Sequence, residues 1–181
     1  MKKILFVLSA GFFYPMIIFG QTTWTANSSE ILFKIKNAGI TVTGRFGGFN
    51  SSLVFSPDKL ESSSLKGSVE VATIKTGINK RDQDLKGENY FNEVKYKLIE
   101  VKSSKLYKKG TQYAGLFNVT IKGITKQVEI PFEFTQNGNE AKFNGNFTID
   151  RGNFGVGGET LTMADNADVS IEIKAKKAGS K

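Results

Sequence analysis

The chain has 181 residues with Lys+Arg 25 against Asp+Glu 17, a formal net charge of +8, and neither cysteine nor histidine. That composition excludes disulfides, thiolate nucleophiles, lipid attachment through cysteine, Cys/His zinc sites and any histidine-centred triad. Much of the basic excess is terminal: without Lys2, Lys3, Lys174, Lys176, Lys177 and Lys181 the body carries 19 basic against 17 acidic side chains. A nucleic-acid partner is therefore not expected, because phosphate binding needs a basic face on the folded body.

Met1-Lys2-Lys3 followed by the uncharged apolar run Ile4 to Gly20 has the anatomy of a secretory signal. The expectation is a signal peptide over 1–20, cleaved to give a periplasmic or secreted protein, with an uncleaved anchor as the rival. From Trp24 onward the dominant period is two, the spacing of half-buried strands. Ile31, Phe33 and Ile35, then Val42, Gly44 and Phe46, alternate with polar neighbours, and so do Val69 and Val71. Later come Tyr113, Gly115, Phe117, Val119 and Ile121; Val128, Ile130, Phe132 and Phe134; Ala141, Phe143, Gly145, Phe147 and Ile149; and Val169, Ile171 and Ile173. Turn residues at Asn37-Ala38-Gly39, Lys108-Lys109-Gly110, Lys122-Gly123 and Asn137-Gly138-Asn139 separate the runs and predict hairpins, hence antiparallel pairing. The sum is about eight strands in one domain over 21–174, with a frayed basic tail at 175–181.

Eight such strands either close as a barrel or pack as a sandwich, and only closure removes both sheet edges. Glycines 44, 115 and 145 among inward rings leave room along a barrel axis, or else let the strands bend. Charged residues on the outward positions argue against an outer-membrane barrel, whose apolar face points outward.

Between Lys75 and Glu93 the two-residue period lapses. A short helix is expected there, capped by Asn79, stopped by Gly87, edged by Ile78 and Leu85, with Asp82 and Lys86 as a four-spaced pair. Arg81 is expected to meet a lipid head, oriented by Asp82 and Asp84, or to fasten the helix through Asp84 or Asp150. Asp82-x-Asp84-x-Lys86-Gly87 nearly spells a calcium loop, but lysine replaces an oxygen ligand; no metal is expected. Residues two apart on a helix do not face one substrate, so no acid–base pair emerges and an enzyme is not expected.

Four ordered motifs carry a family resemblance. They are Gly44-Arg45-Phe46-Gly47-Gly48-Phe49; Ile74-Lys75-Thr76-Gly77 through Arg81-Asp82-Gln83-Asp84-Leu85 to Tyr90-Phe91; Val119-Thr120-Ile121-Lys122-Gly123-Ile124-Thr125-Lys126; and Arg151-Gly152-Asn153-Phe154-Gly155-Val156. Together they resemble the YceI family of lipocalin-like lipid-binding proteins across Trp24 to Lys174. Asp84 stands where that family commonly has His, Lys97 where it has Pro, and Asn153 where it often has Asp. The resemblance implies an all-β, extended eight-stranded antiparallel barrel with one short capping helix. It also implies a bound polyisoprenoid, amphiphilic lipid or quinone-like chain. The expected ligand-binding residues are Phe46, Val71, Arg81, Asp82, Leu85, Tyr90, Phe91, Phe117, Val119, Phe132, Phe143, Phe147 and Phe154. No cofactor is expected. The expected partners are an isoprenoid or other long-chain lipid, membrane-associated donor or acceptor proteins, and a second copy in a homodimer. The alternatives are a filled, partner-binding barrel and an accessory factor acting on a bound quinone.

Overall fold

The computed structural model describes residues 21–180, so the expected signal segment at 1–20 lies outside the described residues. Eight strands run up and down in chain order: β1 (Thr23–Asn37), β2 (Ile40–Val54), β3 (Ser64–Lys75), β4 (Leu98–Lys109), β5 (Gln112–Ile121), β6 (Ile124–Asn137), β7 (Glu140–Asp150) and β8 (Met163–Lys177). Each pairs antiparallel with its neighbours, and β8 closes on β1 from Trp24↔Lys177 to Asn37↔Met163, giving a closed barrel. One helix, α1 (Asn79–Lys86), lies in the β3–β4 connection and packs on β3. The sandwich alternative is thereby excluded, since no sheet edge is left unpaired.

The up-and-down order sorts the connections by end. The β1–β2, β3–β4, β5–β6 and β7–β8 connections lie at one end with α1, and both described termini lie at the other. The β1–β2 and β5–β6 links are two-residue hairpins whose central residues have positive φ: Ala38 (50°) and Gly39 (79°), Lys122 (51°) and Gly123 (76°). Left-handed central residues match the twist of the flanking strands.

The local expectations for the helix need correction. Ile78, not Asn79, is the N-cap, and no side chain caps the helix. Gly87 stops it in an extended rather than a left-handed conformation (φ −68°, ψ 169°). The four-spaced ion pair is Lys80–Asp84 at 2.9 Å, because Asp82 is buried and already engaged. Ile78 is 53% exposed, so Leu85 alone supplies the helix's apolar edge. The tail is also shorter than expected. Ala175 is 1% exposed and paired with Ala26 and Ala141, so strand pairing continues to Lys177.

Two irregularities redirect side chains. Between Arg45↔Lys75 and Asn50↔Ser68 the β2–β3 register shifts twice, around Gly48 at φ 62°. Three residues apart, Phe46 and Phe49 consequently both face inward, where strict alternation would put one outside. In β4 the register shifts between Ser103 and Lys105, so Ser103 and Leu106 are both buried. The inward Ser103 hydroxyl accepts a 2.9 Å bond from the Leu65 amide and is not an unpaired polar group.

Candidate ligand-binding site

The barrel interior divides at mid-height. At the end holding the termini, Phe55 is fully buried, with ring centroids of Tyr113, Phe132, Phe134 and Phe143 within 4.8–5.8 Å of its own. Trp24 joins this plug through a 5.6 Å edge contact with Phe134 and an indole N–H donated to the Phe55 carbonyl at 2.9 Å. Tilted and edge-to-face rings interlock about Phe55, which is fully buried, so this end is filled.

The other end is hollow. A cavity of about 160 Å³ lies beneath α1, walled by residues of every strand except β6, together with Leu85, Tyr90, Phe91, Phe154 and Val156. The wall is apolar almost throughout. Below it a chamber of about 80 Å³ reaches toward the plug between Leu53, Leu65, Phe117, Ile130, Phe132 and Phe143. Phe49, Gly67, Val101 and Ile171 border both spaces and form the neck between them. Gly67 matters because an added Cβ would sit 3.1 Å from the Phe49 ring and 3.5 Å from Val101. A side chain there would fill the neck.

The four connections at the hollow end join into a lid. Ala38 N–H donates to Thr162 O (2.7 Å), Gly157 N–H to Asn89 O (2.8 Å) and Lys122 Nζ to Gly155 O (2.8 Å). Arg151 organises the β7–β8 connection from within, being 4% exposed. Its Nε donates to Ala164 O at 2.9 Å, its Nη1 to Val156 O at 2.9 Å and Gly158 O at 2.6 Å, and its Nη2 to Met163 O at 3.2 Å and Asp165 Oδ1 at 3.4 Å. A guanidinium presents donors in a fixed fork, so one buried arginine fixes a twelve-residue irregular loop that no ladder could. Tyr90 packs by Gly157, and Phe91 meets Phe46 edge-on at 5.5 Å, closing the roof.

The expected site residues separate accordingly. Phe46, Leu85, Tyr90, Phe91, Val119, Phe147 and Phe154 line the upper cavity, and Phe117, Phe132 and Phe143 the lower chamber. Val71, Arg81 and Asp82 line neither. The Val71 amide bonds Lys97 O at 2.9 Å, where β3 meets the segment leading into β4. Arg81 does not point a free charge at the mouth, nor does it pair with Asp84 or Asp150. Its Nε donates to Thr76 Oγ1 and its Nη2 to Thr76 O, both at 2.8 Å. Asp82 Oδ1 accepts from the Thr76 hydroxyl (2.6 Å) and amide (2.8 Å), with Lys75 Nζ 4.0 Å from the other oxygen. The Thr76 hydroxyl bond above all, then the Thr76 amide, Lys75 and Arg81, hold the Asp82 carboxyl below the usual range despite burial. These two charges fasten α1 to the end of β3.

The room expected beside two glycines is occupied. A Cβ on Gly44 would lie 2.2 Å from the Phe33 ring, and one on Gly115 would lie 2.6 Å from Leu106 and 2.7 Å from Phe117. Phe33 lies over Gly44, and Leu106 and Phe117 over Gly115, whereas Gly145 borders the lower chamber, with further free space at Gly67 and beneath the lid.

A model of the YceI-like domain matches residues 23–175. The chain is 24% identical to a UPF0312 protein of Photorhabdus laumondii, over 96% of this chain and 97% of that one. It is 27% identical to a UPF0312 protein of Yersinia pestis over 61% of this chain and 58% of that one. Among solved structures, Burkholderia cenocepacia BcnA superposes with a TM-score of 0.78 at 25% identity, covering 82% of this chain and 96% of that one. A polyisoprenoid binding domain from Saccharophagus degradans superposes with a TM-score of 0.65 at 12% identity, covering 87% and 98%, a likeness of fold alone. With the family model spanning the whole barrel and the same architecture in those solved structures, the chain belongs to the YceI-like family.

Proposed function

We propose that the protein is an exported, non-catalytic carrier that holds the apolar chain of a lipid, isoprenoid or quinone-like, beneath the lid. The observation that supports this most is the almost wholly apolar upper cavity in a fold whose opposite end is solidly packed. Filling a barrel needs only one kind of interior; this one has two.

Size refines the reading. Dry apolar cavities of about 150 Å³ take up a benzene-sized guest, so the upper cavity at about 160 Å³ matches one ring or one branched five-carbon unit. Burying five methylene-sized groups contributes about 4 kcal/mol before ordering costs, which gives weak binding. Useful affinity therefore requires a longer buried stretch, and the route for it is the Phe49–Gly67–Val101–Ile171 neck into the lower chamber. Long-chain binding is expected to rotate Phe49 and couple the two spaces, with the head group at the lid rather than at Arg81.

Displacement of a fluorescent fatty-acid probe by prenyl alcohols of rising length, with mass spectrometry of the organic extract, tests the proposal. Tighter displacement as chains lengthen to about ten buried carbons supports it. No displacement by any of them, together with an extract free of lipid, overturns it.

A further inference from the structure

The distribution of exposed apolar side chains carries an inference about the outer surface. Among the described residues the large hydrophobics left exposed are Ile40, Ile78, Val94, Leu98, Ile124 and Leu161, from 39% to fully exposed. All six lie at the hollow end, in or directly beside the four connections that form the lid: Ile40 at β1–β2, Ile78, Val94 and Leu98 along β3–β4, Ile124 at β5–β6 and Leu161 at β7–β8. The connections of the packed end hold none. Singly exposed apolar residues are ordinary, but six confined to one end, each on a different tip or shoulder of the same rim, are a directional surface.

Charge selects the partner. Within four residues of those six positions, seven lysines are exposed; Lys75 and Lys80 are paired with Asp82 and Asp84, which leaves Lys36, Lys95, Lys97, Lys102 and Lys126 against three exposed carboxylates, Glu100, Glu159 and Asp165. Asp165 is already engaged by Arg151. Projecting aliphatic tips flanked by long, flexible ammonium side chains suit a lipid bilayer with anionic head groups. The tips enter the interfacial layer while the lysines stay with the phosphates. A protein groove would instead require a continuous shaped patch, which separate tips around a ring do not provide.

We propose that the lid rim is a membrane-docking surface, and that the barrel sits mouth-down on an anionic bilayer. The inference stands on the rim and goes beyond the carrier reading, which it complements by placing the cavity against the phase that holds its guest. Docking also gives the lid a trigger. The strain of inserting the tips bears on the hydrogen bonds Ala38–Thr162, Gly157–Asn89 and Lys122–Gly155, which tie the connections together.

Because the chain has no cysteine, single cysteines report site by site. L161C and I124C at the rim and N139C at the packed end, each carrying an environment-sensitive fluorophore in the full chain, are mixed with vesicles of phosphatidylglycerol and phosphatidylcholine. The expected result is a blue shift at both rim positions and none at Asn139, weakened on raising salt from 0.1 to 0.5 M. Replacing Ile40 and Val94 by Ser in the labelled chain should lower apparent vesicle affinity about tenfold, with an unchanged circular-dichroism spectrum. A shift at Asn139 with none at the rim, no shift anywhere, or a rim shift only when membrane proteins are present would each overturn the proposal. Probe displacement without vesicles reads the cavity separately, so loss of docking with retained displacement refutes docking alone.

Discussion

At the scale of single residues, the lid depends on one buried cation. Arg151 satisfies four backbone carbonyls, two in the β7–β8 connection and two at the start of β8, and the Asp165 carboxylate. Removing it leaves buried carbonyls without donors, and charge-assisted bonds of this kind are individually worth about 1.5–3 kcal/mol. Arg151→Ala is expected to cost at least about 3 kcal/mol, a melting point lower by about 6–12 °C in a domain of this size, read by calorimetry. Arg151→Lys should recover little, since an ammonium cannot reproduce the fork. Asp82 carries a pH signature. Its folded carboxyl sits below the ordinary range, so its contribution is complete above about pH 4 and is lost as pH falls through the unfolded and then the folded value. Urea midpoints for Asp82→Asn should be lower than wild type at pH 7, and the gap should narrow as pH falls below the ordinary carboxylate range. Arg81→Ala should act on the same helix anchor and leave lipid affinity little changed.

Elements set the shape of the cavity through two positions in strands. In β2, Gly44 accepts the Phe33 ring at a distance no Cβ permits. Gly44→Ala must push that ring toward the upper cavity, whose wall it already forms, at about 1–3 kcal/mol of overpacking. In β3, Gly67 has an ordinary strand conformation, and the nearest neighbours of an added Cβ are the Phe49 ring and Val101. Gly67→Leu is expected to close the neck, keeping a short prenyl ligand while losing the gain in affinity for longer ones; a titration across chain lengths checks this. Neither role is visible in alternation. Gly44 sits in its inward run as expected, yet the space beside it belongs to the ring of Phe33, its direct partner on β1. Phe49 falls out of phase because of the bulge at Gly48.

For the whole molecule, the division into a packed and a hollow end predicts that stability and binding separate. Phe55→Ala removes the ring at the centre of the plug and should cost about 3–5 kcal/mol, seen as a large drop in denaturant midpoint. Binding of a short prenyl probe should persist at low temperature, because the upper cavity shares no wall with Phe55. The opposite result, probe binding lost with stability kept, would mean that the guest occupies the packed end.

The strand count, the antiparallel order and the inward set of β5 to β8 could be read from the sequence, because a two-residue period and turn residues are local properties. The family motifs carried Tyr90, Phe91 and Phe154 as expected ligand-binding residues without revealing the lid they belong to or how it is held. Arg151 escaped for a physical reason: its partners are backbone carbonyls spread over 156–164, which any residues would supply. Arg81 and Asp82 left two readings open, a lipid contact or a fastening of the helix, because a charge pattern on a helix does not say which face is covered. Which rings pack into a plug and which stand around an open space is a matter of three-dimensional volume. Closure of β8 on β1 and the bulge at Gly48 decide it, and no spacing along the chain records either.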